Sequence, residues 1–137
     1  MSEARVRLEF ATISSRLHKL RLPAVDVVVG VARGGIVPAA MVAHQLGTPL
    51  VILRINYRDD ANRPQRSTPD LLAPLDFDPV GKRVLLVDDV SVTGATLSKA
   101  KEILSGASIT TLVCKGKADL VLFPEIGTCV EWPWKIE

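Results

Sequence analysis

Apolar residues in this chain fall into short unbroken runs separated by stretches with a helical period. VDVVVGV (25–31), LVILRINY (50–57), RVLLV (83–87) and SITTLVC (108–114) have the length and β-branched content of strands. None alternates cleanly between apolar and polar residues, as expected of strands covered on both faces. Between them lie ATISSRLHKL (11–20), with Ile13, Leu17 and Leu20 on one side and Thr12 as N-cap, and VPAAMVAHQLG (37–47). A third helix is predicted over ATLSKAKEILSG (95–106), with Leu97, Ala100, Ile103 and Leu104 inward. Strands and helices in this alternation predict an α/β fold: an open, twisted, mainly parallel sheet with helices on both faces, connected by right-handed crossovers. Ligands of such sheets sit at the carboxyl ends of the strands. That rule puts residues 30–35, 54–58, 88–96 and 115–117 on one rim.

One segment breaks the rhythm. RDDANRPQRSTPDLLAPLDFDPVGK (58–82) carries prolines at 64, 69, 74 and 79 and no helical period. A stretch of this length inside a compact domain is either a functional lid or a surface excursion, such as a two-stranded ribbon used for subunit contacts. Arg58, Arg63 and Arg66 suit a lid that meets a phosphate.

Composition narrows the function classes. At 137 residues the chain is expected to form one domain over 1–137. With 47% hydrophobic and 23% charged residues it is expected to fold as a soluble globular protein. A net charge of +2 gives no argument for nucleic acid or a membrane surface. The uncharged stretch 34–53 approaches the length of a bilayer span, but Pro38, Gly47 and Pro49 break it into a helix start and stop. The N-terminus lacks the apolar region of a secretory signal. Cys114 and Cys129 have no metal-ligand spacing, and Cys114 ends an apolar run as a small core hydrophobe would. A cytoplasmic location is the expectation.

The chemistry concentrates in VLLVDDVSVTGAT (84–96). An apolar strand delivers Asp88 and Asp89 side by side, and Thr93, Gly94, Ala95 and Thr96 turn into the next helix. Adjacent carboxylates repel, so their placement calls for a compensating ligand. Amides at a helix start, with threonine hydroxyls beside them, suit a phosphate. Carboxylates are hard oxygen donors that suit a ribose diol and Mg²⁺. An acidic pair can also be a mere N-cap with a solvated neighbour, or the acidic pocket of a signalling receiver domain. Receivers carry their acids near the N-terminus on the first strand, far from Asp88.

This stretch resembles the phosphoribosyl-pyrophosphate (PRPP) motif of type I phosphoribosyltransferases. VGVARGGIVPAAMVAHQLG (29–47) is similar to the pyrophosphate loop and following helix of the bacterial xanthine-guanine members, and VCKGKADL and TCVEWPW to their base-side strand and C-terminal hood. The resemblance covers about 13–134. It implies a type I phosphoribosyltransferase fold with a small hood over 118–137 and a mobile loop over 58–82 that Tyr57 introduces. The implied activity is a purine-type transfer of the 5-phosphoribosyl group from PRPP to a nucleobase, releasing pyrophosphate with Mg²⁺ as cofactor. The implied assembly is a homodimer or homotetramer. Asp88 and Asp89 would hold the metal and the ribose hydroxyls, and Val90 would bind PRPP with them, between the acids and the cradle. Ser91, Val92, Thr93, Gly94, Ala95 and Thr96 would wrap the 5′-phosphate. Ala32, Arg33 and Gly34 would form the pyrophosphate loop, where the family often has a cis peptide before the arginine. Arg33 would join the acids in catalysis, and Lys115, Val130 and Trp132 would meet the base.

Two positions depart from the xanthine-guanine pattern. Val92 stands where those enzymes keep an aspartate that helps deprotonate the purine, and Cys129 where they stack a tryptophan. Both departures also fit a non-catalytic PRPP or nucleotide-binding regulator on the same fold. Trp132 could replace the missing ring, or could pack a C-terminal flap together with Trp134.

Overall fold

The apolar runs sort their side chains onto two faces with period two. In the computed structural model, which describes residues 5–56, 70–71 and 75–135, the strands are β1 (Val6–Arg7), β2 (Val27–Ala32), β3 (Leu50–Asn56), β4 (Asp70–Leu71), β5 (Arg83–Ser91), β6 (Ser108–Gly116), β7 (Leu120–Val121) and β8 (Val130–Glu131). The helices are α1 (Phe10–Lys19), α2 (Ile36–Leu46) and α3 (Ala95–Ile103). Val28, Leu85, Val87, Leu112 and Cys114 pack on one side of the sheet with Ile13 and Leu17 of α1 and with Ala39, Val42 and Ala43 of α2. Val27, Val29, Val31, Val84, Leu86 and Val113 pack on the other side with Leu97, Ala100 and Leu104 around α3. Both faces are therefore covered, which is why no strand alternates. Ile13 and Leu17 are sealed at 0% and 2% exposure, and each such burial is worth roughly 1.5–3 kcal/mol.

Among the described residues the main sheet has the order β4-β3-β2-β5-β6-β7. Neighbours pair in parallel except β3 with β4. The chain runs outward from β2 to β3, returns to β5, and runs outward again to β6. The reversal falls between β2 and β5, and it is there that an open parallel sheet leaves a crevice at its carboxyl edge.

Several boundaries differ from the sequence expectation. α1 begins at Phe10 with Glu9 at its N-cap, not Thr12, because Leu8 is buried and the Phe10 ring meets Trp134 at 6.3 Å. α3 ends at Ile103, before Gly106. β5 continues past Val87 to Ser91, so the acidic pair lies within the strand. The short strands β1, β4, β7 and β8 were below what patterning resolves. β7 joins the sheet because Asp119 accepts hydrogen bonds from Thr111 N (2.9 Å) and Thr111 Oγ1 (3.0 Å), while Asp119 N donates to the same hydroxyl (2.9 Å). These bonds hold the Asp119 carboxyl below its usual range. Of the expected lid, residues 58–69 and 72–74 lie outside the described residues, and with them Tyr57, Arg58, Arg63 and Arg66. Asp70 and Leu71 pair with β3.

α2 ends as expected at Gly47, whose φ of +66° stops the helix. No described helix is long and apolar enough to cross a membrane. α1 is tied to the hood by Arg16, whose guanidinium donates to Leu122 O (2.9 Å) and both Glu125 oxygens (3.1 and 2.8 Å) and stacks 4.5 Å over Phe123. α2 lies tightly on β2, since a Cβ at Gly30 would come 2.6 Å from Ala39 Cβ. Gly30→Ala is therefore expected to lower unfolding stability by about 1–3 kcal/mol through overpacking, measured by urea denaturation.

Candidate active site

The crevice opens because β2 and β5 stop sharing hydrogen bonds before either strand ends. Their register finishes at Gly30 opposite Val87. β2 goes on with β3 to Ala32 opposite Arg54, and β5 goes on with β6 to Ser91 opposite Gly116. Ala32, Arg33 and Gly34 thus face Asp88 and Asp89 across the gap. The Ala32–Arg33 peptide is cis, the form the resemblance implies. Gly35 N donates to Val31 O at 2.8 Å. A Cβ at Gly35 would lie 2.6 Å from both Val31 O and Val87 O, and one at Gly34 would strike the Asp89 carboxylate. Glycine at both positions lets the loop backbone lie directly on the acidic pair. Arg33 itself is exposed.

Asp88 is 7% exposed, and the Asp89 side chain 13%. Each accepts the amide of the next residue: Asp89 N to Asp88 Oδ1 at 2.8 Å and Val90 N to Asp89 Oδ1 at 2.7 Å. Burial, followed by the neighbouring Asp89 charge, pushes the Asp88 carboxyl well above its usual value, and Lys135 partly offsets this. Lys135 Nζ stands 3.8 Å from Asp89 Oδ2. Directly beneath, the Cys114 thiol is pushed up to about 12, first by burial and then by the two aspartates. It is an inert core thiol.

Past the acids, Ser91 is buried, and its hydroxyl has no hydrogen-bond partner among the described residues. Ser91 O accepts Lys117 N at 2.9 Å, and a Cβ at Gly116 would collide with that same oxygen. Gly116 has a φ of +114°, so glycine is what allows β6 to close against the end of β5. Thr93 Oγ1 accepts Ala95 N at 3.2 Å. Gly94, at φ +84°, starts α3 with no capping side chain and no acidic residue in the first turn. Apart from Ala95 N, which Thr93 Oγ1 accepts, the first turn of α3 has no side-chain cap, and amides in that position suit an anion.

The base-side residues separate. Lys115 sits half-buried opposite Val90, at the rim. Val130 is paired with Val6 in the β1–β8 ladder and packs on the core. Trp132 is 4% exposed, with its ring stacked on Trp134 at 5.2 Å and 4°. It has no open face for a base, and the flap-packing alternative describes it. Val92, by contrast, is 73% exposed beside the crevice. Sequence reasoning missed Lys135, because nothing in EWPWKIE marks one cation as reaching across the fold.

Two carboxylates with no further ligating group suit one kind of metal. No cluster of three or more His, Cys, Asp or Glu side chains that could hold an ion occurs among the described residues. Mg²⁺ characteristically takes one or two carboxylates and completes its shell with water and substrate phosphates, and the buried pair fits that demand.

Comparison with known proteins agrees with this geometry. The chain is 32% identical to the orotate phosphoribosyltransferase of Sulfurisphaera tokodaii over 105 residues, covering 74% of the chain and 49% of that protein. Among solved structures, the purine phosphoribosyltransferase of Pyrococcus horikoshii superposes with a TM-score of 0.80 at 29% identity, covering 97% of this chain and 95% of that one. The xanthine-guanine-hypoxanthine phosphoribosyltransferase of Helicobacter pylori shares the fold at a TM-score of 0.68 and 11% identity, covering 97% and 95%. This chain spans about half the length of the curated orotate relative. The profile of the phosphoribosyl transferase domain matches residues 8–119, and the chain belongs to that family.

Proposed function

We propose that this protein transfers the 5-phosphoribosyl group from PRPP to a purine base, releasing pyrophosphate in a Mg²⁺-dependent reaction. The observation that carries this reading is the contact between the Gly34 backbone and the Asp89 carboxylate across the switch-point crevice. It brings a loop of amides and a pair of acids to one place, as a sugar diphosphate requires. The similarity to the Pyrococcus purine enzyme over nearly both full chains supports the purine choice.

Displacement at the ribose C1 needs no protein nucleophile, because pyrophosphate is already a good leaving group. Asp88 and Asp89 would grip the ribose hydroxyls and hold Mg²⁺, which when bound neutralises charge building on the diphosphate. The loop backbone at Gly34, with the Arg33 side chain, would bind the departing pyrophosphate. The start of α3, with Thr93 and Thr96, would seize the 5′-phosphate and use that remote binding to orient C1. Lys115 would donate to a ring oxygen of the base. The acidic pair would also favour positive charge developing on the ribose ring.

Val92 also supports a second reading, a PRPP or nucleotide-binding regulator without turnover. An exposed valine supplies no general base beside the crevice. A pyrophosphate-release assay with PRPP and Mg²⁺ over a panel of bases decides. Turnover is expected with at least one of guanine, xanthine, hypoxanthine or adenine. Turnover with orotate alone would make it a pyrimidine enzyme, and PRPP binding without turnover on any base would make it a regulator. Val92→Asp should raise guanine or xanthine transfer, by up to about 10²-fold if a general base is what is missing. No change in kcat would show that an acid there is irrelevant.

Asp88 predicts a measurable conflict between stability and use. The unfolded carboxyl ionises near 3.8, whereas the folded one holds its proton to higher pH. Between those values the folded state binds more protons, so stability falls as pH rises through the folded value. Asp88→Asn is expected to raise the ligand-free Tm at about pH 8 and to flatten its pH dependence while abolishing transfer. Thermal melts across pH check it.

A further inference from the structure

The second oxygen of Asp89 is met by a cation from the far end of the chain. Oδ1 takes the Val90 amide at 2.7 Å, and the carboxylate lies against the Gly34 backbone. Oδ2 faces Lys135 Nζ at 3.8 Å, with the lysine side chain 55% exposed. Lys135 is anchored by its own backbone, since its amide donates to Trp132 O at 3.1 Å. Its ammonium can swing away on four methylenes without moving the hood. At 3.8 Å the pair is an ion pair without a tight hydrogen bond. A divalent ion on a carboxylate oxygen would sit at about 2.0–2.1 Å, and it would repel an ammonium held beside the same oxygen.

Resting on the phosphoribosyltransferase reading above, we propose that Lys135 is a tethered counter-ion of the acidic pair, holding Asp89 in the ligand-free protein and giving way when Mg²⁺ and PRPP bind. The lysine stabilises the empty site, and every binding event must first break its contact. Its effects on empty-state stability and on ligand affinity therefore have opposite signs. A residue that merely packed the hood would move both in the same direction.

The test uses the full chain and needs no base, so no turnover occurs. Wild type, Lys135→Ala and Lys135→Arg are titrated calorimetrically with PRPP in the presence of Mg²⁺, and each is melted without ligand. Lys135→Ala is expected to bind Mg²⁺–PRPP about two- to fivefold more tightly, the range of a partly exposed ion pair, and to melt at a lower temperature when empty. Lys135→Arg should restore both values toward wild type. Equal or weaker PRPP binding by the alanine variant overturns the proposal, as does an unchanged ligand-free melt. If the wild type binds PRPP and the alanine variant behaves identically, only the lysine role falls. If the wild type itself binds no Mg²⁺–PRPP, the transferase reading falls with it.

Discussion

Two negative charges on consecutive residues, held at the mouth of a gap between parallel strands, set the terms for everything around them. Asp88 is buried and Asp89 nearly so, and neither position is comfortable for a carboxylate without a partner. The fold tolerates them through the next residue's amide on each, through Lys135, and through a raised proton affinity at Asp88. None of these fully replaces the solvent that was lost. A site kept in this condition is one that a doubly charged ion and a hydroxylated sugar would relieve.

The surrounding glycines follow from the same constraint. Side chains at Gly34 or Gly35 would push the loop away from the acids and from the ends of β2 and β5. With both absent, backbone amides and carboxylates stand within one ligand's reach. On the opposite flank Gly116 admits the carbonyl of Ser91, which holds the end of β5 in place after it has lost β2 as a neighbour. The proposed chemistry thus depends on close approach of main chain to main chain more than on any single side chain.

Much of this was legible in the residues. The four long strands and three helices came from unbroken apolar runs and from Gly and Pro punctuation, and the mainly parallel sheet followed from the alternation, though its strand order did not. VLLVDDVSVTGAT marked the acidic pair and the turn into α3 because both are local in the chain. What escaped was nonlocal or too short. β1 and β8 each span two residues and acquire meaning only from one another. The start of α1 is set by an aromatic contact to Trp134, which no N-cap rule contains. Trp132 was a candidate for stacking on a base, yet a tryptophan in the run EWPW looks the same in sequence whether it faces ligand or core. Lys135 depends on where the chain's end is folded back.

The small β1–β8 ladder couples the first described strand to the last. Val6 pairs with Val130 and Arg7 with Glu131, so almost the whole described chain must be threaded before this sheet can close. Contacts of such wide sequence separation form late, because the entropy of closing the loop is met before the contact returns anything. As the polypeptide emerges during synthesis, β2, α2 and β5 can assemble while β1 still waits for its mate. In that order of assembly the acidic crevice would form before its roof, and Asp89 would meet its glycine loop before its lysine.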